Sequence, residues 1–139
     1  FTDAIVKDSP IKVFNNGKMQ RDFTYIDDIV EGIMRIQAII PSDNGSEQLN
    51  DGCPLSQVYN IGNNQPVELE KFIGEIETVL EMKAIKQYMP MQDGDVLRTC
   101  ADVSRFERAT NFKPNTDLSL GIERFVRWFK TYYKVDGAC

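Results

Sequence analysis

Histidine is missing from this sequence altogether. Its absence removes Ser-His-Asp catalysis, Cys-His catalysis and any histidine-ligated metal, and leaves Asp, Glu, Lys, Tyr and Cys as acid–base candidates. Cysteine is scarce: Cys53, Cys100 and Cys139 are odd in number and widely spaced. No C-x-x-C or Cys/His metal spacing links them, so neither a disulfide framework nor a metal site is expected. The thiols read as reduced groups of a cytoplasmic protein. No apolar run approaches the roughly 18 residues of a membrane span, so no membrane partner is expected. Positive charge is also short. Sixteen Lys and Arg against 21 Asp and Glu give a net charge of -5, which argues against a general nucleic-acid binder with its basic face. No G-x-G-x-x-G follows a strand, so the dinucleotide fingerprint is missing as well.

What is present is ordinary for a globular protein: 139 residues, 42% hydrophobic and 27% charged, enough for one domain with a sizeable core. Phe1 to Lys7 is too short and too charged for a signal peptide and has no initiator Met; it reads as the tail of a helix cut in the middle. That helix stops before Ser9-Pro10, because the residue before a proline is pushed out of the helical region. Ile11 to Phe14 reads as a strand with Asn15-Asn16-Gly17 as its turn, and Phe23 to Ile26 as a second strand. Asp27 or Asp28 offers an N-cap for a helix to about Ile39, with Ile29, Val30, Ile33, Met34 and Ile36 at helical steps.

Residues 41–56 read as a surface loop. Gln57 to Ile61 reads as a strand closed by Gly62. Leu69, Phe72, Ile73, Ile76, Val79 and Leu80 mark an amphipathic helix, and Ala84 to Tyr88 another strand before a loop from Met89 to Leu97. Asp102 caps a short helix over Val103 to Thr110. The last helix runs from about Leu118 to Tyr133, with Ile122, Phe125, Val126, Phe129 and Tyr132 or Tyr133 inward. The mixture lacks the βαβ rhythm of a whole Rossmann domain and fits a small α+β lobe over residues 1–135 with a tail at 136–139.

Three segments carry candidate chemistry. Arg21, in Gln20-Arg21-Asp22-Phe23-Thr24-Tyr25-Ile26-Asp27-Asp28, is either a phosphate ligand or a surface arginine paired with Asp22 or Asp27. In Gln92-Asp93-Gly94-Asp95, a carboxylate after a glycine either accepts two hydroxyls or belongs to a turn that only shapes the backbone. Tyr59-Asn60-Ile61-Gly62 reads as a buried strand ending at a turn, with Asn60 either satisfying backbone groups or bracing Arg21. Trp128 and Phe129 read as core or partner-facing, and Cys100 as a small buried thiol.

Arg21 to Asp28 completes the pattern R-D-[FYW]-x-[YH]-[IV]-x-D. With Tyr59-Asn60-Ile61-Gly62 and Gly94-Asp95, it resembles the C-terminal part of NAD-dependent nucleotide-sugar epimerases and dehydratases of the extended short-chain dehydrogenase family. Met91-Gln92-Asp93-Gly94-Asp95-Val96 and the ending Phe125-x-x-Trp128-x-x-x-Tyr132-Tyr133 look most like the UDP-glucuronate 4-epimerases. The resemblance implies a substrate-binding lobe without the main Rossmann sheet. It implies Arg21 on the diphosphate of a UDP-sugar, Asp95 on the ribose, Gln92 as a neutral phosphate contact where galactose-type relatives carry arginine, and the Val13-Phe14 strand on the uracil.

In that family a tightly held NAD takes a hydride from C4 of the sugar and a tyrosine of a Y-x-x-x-K pair is the base. No tyrosine of this chain has a lysine four residues on. The chain is therefore expected to bind no cofactor and to hold no catalytic residue, as the UDP-sugar-binding portion of a longer epimerase that binds NAD elsewhere. The resemblance implies a parent homodimer joined through the missing half. The isolated chain is expected to self-associate through apolar surface at Phe1, Ile5 and Val13-Phe14. A non-catalytic binding module derived from the fold, and the same lobe of a dehydratase or decarboxylase, are the alternatives.

Overall fold

A computed structural model describes residues 1–39 and 57–135. The expected loop at 41–56 and the tail at 136–139 lie outside the described residues, with Cys53 and Cys139. The described chain is a small mixed helix and strand domain. In order it forms α1 (Thr2–Val6), β1 (Ile11–Val13), a 3-10 turn (Phe14–Gly17), β2 (Gln20–Asp22), α2 (Ile26–Ile36), β3 (Pro66–Glu68), α3 (Leu69–Leu80), β4 (Lys86–Tyr88), α4 (Ser104–Thr110) and α5 (Leu118–Tyr133).

The core is built on α3 and α5. Leu69, Ile73, Ile76 and Leu80 recur at steps of four, three and four, so they share one helix face. That face, with Ile122 and Val126 of α5, Ile5 of α1 and Ile11 and Val13 of β1, makes one buried cluster. Each such side chain is worth about 1.5–3 kcal/mol when fully buried. α3 ends because Glu81 turns left-handed (φ 56°), with the Met82 N–H closing onto the Glu77 carbonyl at 3.1 Å. β1 alternates buried, exposed, buried and pairs in parallel with β4 in the register Ile11↔Lys86, Lys12↔Gln87 and Val13↔Tyr88.

β2 pairs antiparallel with β3. On its other edge the Gln20 N–H donates to the Leu97 carbonyl at 2.9 Å and the Thr99 N–H to the Gln20 carbonyl at 3.1 Å. A second packing centre lies under α2, where Gly32 meets Phe106 of α4 and Ile61. A Cβ at Gly32 would stand 3.0 Å from the Phe106 ring, so glycine sets how closely the helix approaches.

Several expectations change. The second strand is Gln20–Asp22, not Phe23 to Ile26, because its pairing partners are β3 and residues 97–99. Residues 57–61 form no strand, since no described strand runs beside them. Neither Asp27 nor Asp28 caps α2: Tyr25 is the N-cap without a side-chain bond, and both aspartates lie in the first turn. The apolar stripe of α2 faces outward, with Ile26 61%, Val30 50%, Ile33 49% and Met34 56% exposed, while Asp28 and Gly32 are its buried positions. Phe125, Tyr132 and Tyr133 of α5 are exposed, as is Trp128, which is thus not core. Ile5 and Val13 are buried, Phe14 is half-buried and only Phe1 of that set is exposed, while α2 and α5 expose apolar side chains as well.

Glu77 is a buried carboxylate on α3. Its oxygens accept the Ala84 N–H at 3.0 Å and the Lys83 ammonium at 3.1 Å, with Lys86 at 3.6 Å. Burial pushes this carboxyl up, but the Ala84 amide and the two lysines together outweigh it and hold it below the ordinary 4.5. A depressed folded-state value means the stabilisation is complete above the unfolded value and is lost as pH falls through the folded one. Melting temperatures from about pH 7 to about pH 3 should therefore drop more steeply below pH 4.5 in the wild type than in Glu77→Gln. Parallel curves would remove Glu77 from the acid response.

Candidate functional site

The motif from Arg21 to Asp28 joins separate parts of the fold, one residue at a time. The Asp22 carboxylate accepts N–H bonds from Asn64 (3.0 Å), Gln65 (3.3 Å) and Ala101 (3.4 Å), while its own N–H donates to Thr99 Oγ1 at 3.2 Å. Gly62 admits that carboxylate: a Cβ there would lie 3.2 Å from Asp22 Oδ2. Phe23 stacks on Phe72 of α3, centroids 4.0 Å apart. Thr24 Oγ1 accepts the Asn63 N–H at 3.1 Å. The Tyr25 ring lies against Gly121 and under the Arg124 guanidinium. Asp28 accepts the N–H groups of Asn115 (3.2 Å) and Thr116 (2.9 Å) ahead of α5. Buried carboxylates are stable when backbone donors satisfy them in this way. Asp22 is the residue that sequence reasoning undervalued, having been weighed only as an ion-pair partner; its place inside the motif was the available signal.

Arg21 projects from the middle of β2 and pairs with neither Asp22 nor Asp27. Its Nη2 lies 2.6 Å from Asp95 Oδ1, with the two side chains 23% and 29% exposed. Its Nη1 donates to the Val96 carbonyl at 2.8 Å and the Gln20 carbonyl at 3.0 Å, and Nη2 also reaches Met19 Sδ at 3.4 Å. Asp95 is held in turn. Its N–H donates to the Gln92 carbonyl at 3.1 Å across a turn in which Gly94 adopts φ 80°, and its Oδ1 accepts the Val96 N–H at 2.8 Å. The fold thus brings Arg21 and Asp95 together. Gln92 is exposed at the start of that turn.

Val13 is 0% exposed and its carbonyl accepts the Met89 N–H at 2.9 Å, so that side chain and that acceptor are both committed. Phe14 is half-buried at the 3-10 turn. Asn60 donates to the Asp102 carbonyl at 3.1 Å and does not brace Arg21. Cys100 is exposed, not buried, and its Sγ donates to Asn64 Oδ1. Two open clefts flank β2. One, of about 370 Å³, is lined by Gly17, Lys18, Gln20, Glu70 and Arg98 among others. Glu70 Oε1 is buried without a partner among the described residues, and a Cβ on Gly17 (φ 77°) would stand 2.6 Å from it. The other, of about 300 Å³, lies beside Asp22, Thr24, Thr99 and Cys100.

The family model for the NAD dependent epimerase/dehydratase family matches residues 1–62. Protein CapI of Staphylococcus aureus is 47% identical over 96% of this chain and 42% of its own length. A probable UDP-glucuronate 4-epimerase of Rhizobium meliloti is 40% identical over 96% of this chain and 41% of its own. Among solved structures, the UDP-glucuronic acid 4-epimerase of Bacillus cereus in complex with UDP-glucuronic acid and NAD superposes with a TM-score of 0.76 at 26% identity, over 95% of this chain and 38% of that one. The chain spans about two fifths of the length of these relatives.

Among the described residues, the junction of β3 with α3 is not a dinucleotide cradle. Such a site needs a glycine-rich turn between a strand and a helix N-terminus. Here β3 runs directly into α3 through Glu68 and the buried Leu69. Residues 1–62 match the NAD dependent epimerase/dehydratase family, and the likeness to the Staphylococcus aureus and Rhizobium meliloti relatives continues through the rest of the sequence.

Proposed function

We propose that the chain is the UDP-sugar-binding lobe of an NAD-dependent sugar-nucleotide epimerase of the UDP-glucuronate 4-epimerase kind, with the NAD site and the Y-x-x-x-K pair carried by a further part of the protein. The observation that carries this reading is the Arg21–Asp95 pair, two motif residues far apart in sequence and 2.6 Å apart in space. Arg21 meets the diphosphate, which an arginine suits by its charge, through the N–H donor that the described residues leave unengaged. Asp95 reads the ribose through Oδ2, which has no partner among the described residues. Gln92, exposed beside Asp95, supplies a weaker contact. The uracil lies along β1 and the turn after it, against Phe14; Val13 supports that strand from within the core.

Titration calorimetry of the intact protein with UDP tests this. Saturable UDP binding that weakens with added salt is expected, since a phosphate contact is partly electrostatic. No heat on addition of UDP would overturn the reading.

The outward apolar stripe of α2 supports a related expectation for the isolated chain. Exposed apolar patches beyond a few hundred Å² are unusual on monomers and find partners. Light scattering across a dilution series should show mass rising with concentration, and Val30→Glu with Ile33→Glu should reduce that rise. A constant monomer mass at every concentration would mean that α2 needs no cover.

A further inference from the structure

We propose that Asp95 positions the Arg21 guanidinium for its phosphate contact, in addition to any contact of its own with ligand. The inference rests on the UDP-binding reading given above. A guanidinium has five N–H donors. Here Nη1 is engaged by the carbonyls of Gln20 and Val96 and Nη2 by Asp95 Oδ1 and Met19 Sδ, so Nε–H alone is unengaged among the described residues. The Asp95 contact is the charged one of the four and the shortest. The sulfur contact at 3.4 Å is weak by comparison.

Asp95 is itself fixed twice, by its own N–H on Gln92 and by the Val96 N–H on Oδ1. The carboxylate therefore acts as a rigid stop. It holds one end of the guanidinium, the two carbonyls hold the other, and Nε–H faces the ligand. A long arginine side chain otherwise loses much rotamer freedom when it binds, and ordering it in advance moves that cost into folding. The opposing effect is repulsion between the carboxylate and a phosphate. It is reduced because Oδ1 is neutralised by Arg21, and the pair presents no net charge.

The test separates this role from ribose recognition. Affinities of the intact protein for UDP and for uridine are measured by calorimetry, and their ratio isolates what the diphosphate contributes. In Asp95→Ala the ratio should fall about tenfold or more, which corresponds to about 1.4 kcal/mol. Arg21→Ala should lower it by a similar factor, and the double variant should fall no further than Arg21→Ala alone. Asp95→Asn keeps an acceptor for Nη2 and should retain a larger ratio than the alanine variant. Thermal melts of each variant show that the fold is intact.

Equal losses for UDP and uridine in Asp95→Ala, leaving the ratio unchanged, would mean that Asp95 reads ribose only, and the positioning role falls. Tighter UDP binding in Asp95→Ala would mean that repulsion dominates and would also overturn it. A wild type that binds no UDP removes the underlying reading together with the inference, and is distinguished from both by the wild-type titration.

Discussion

Supplied with NAD and UDP-glucuronate, the isolated 139-residue chain should form no UDP-galacturonate. Epimerisation at a sugar carbon needs a hydride acceptor and a base, and the chemistry of hydride transfer is the cofactor's. The sequence holds no G-x-G-x-x-G, no tyrosine with a lysine four residues on, and no histidine to take the base's place. Arg21 and Asp95 are occupied with each other and are suited to binding, not to moving a hydride. Enzymatic rate enhancements are of the order of 10⁶ or more, so the expected effect is a complete loss relative to an intact epimerase. Chromatography of the nucleotide sugars after long incubation is the measurement. Product above a no-protein control would overturn the reading of this chain as a binding lobe without catalytic parts.

The second large effect concerns binding. In the intact protein, Arg21→Ala should weaken UDP binding about 10- to 100-fold, from the roughly 1.5–3 kcal/mol of hydrogen bonds to a charged partner. Gln92→Ala should cost about fivefold or less, from the roughly 1 kcal/mol of a neutral bond. The structure sharpens the contrast. Arg21 is held by four contacts within a strand, whereas Gln92 is exposed at the start of a turn. Titration calorimetry of both variants decides it. A larger loss from the glutamine change would mean that the diphosphate lies nearer the Gln92 turn than β2.

The sequence was most legible where burial and period coincide. α3 and α5 begin and end where their apolar spacing says, because both helices bury one continuous face in the core. α2 shows the limit of the same argument. Its stripe is as regular, but periodicity reports an apolar face and not which neighbour covers it. The strands were harder. Three residues are too few to show an alternating pattern, and β2 was misplaced onto Phe23 to Ile26 because aromatic and branched residues favour strands. Two of them, Phe23 and Tyr25, instead anchor the motif on α3 and α5. β3 was missed because it opens on a proline and ends on a glutamate. Within the candidate site, the motif marked Arg21 as worth attention. Its pairing with Asp95, across more than seventy residues, is a property of the fold that local spacing cannot carry.

The narrow footing of α2 has a consequence for motion. A helix opens locally with a free energy set by the contacts that opening breaks. For α2 these include the Asp28 bonds to Asn115 and Thr116, the seating of Gly32 against Phe106 and Ile61, and the Arg35 guanidinium over the Phe112 ring, while Val30, Ile33 and Met34 are about half exposed. α3 would have to give up Leu69, Ile73, Ile76 and Leu80 together. Amide protons of α2 should therefore exchange with deuterium well before those of α3 in the isolated chain, and equal protection of the two helices would show that α2 is covered. The helix that carries the last three residues of the Arg21 motif would then be the least protected long helix among the described residues, and its stiffness would depend on whatever surface covers it.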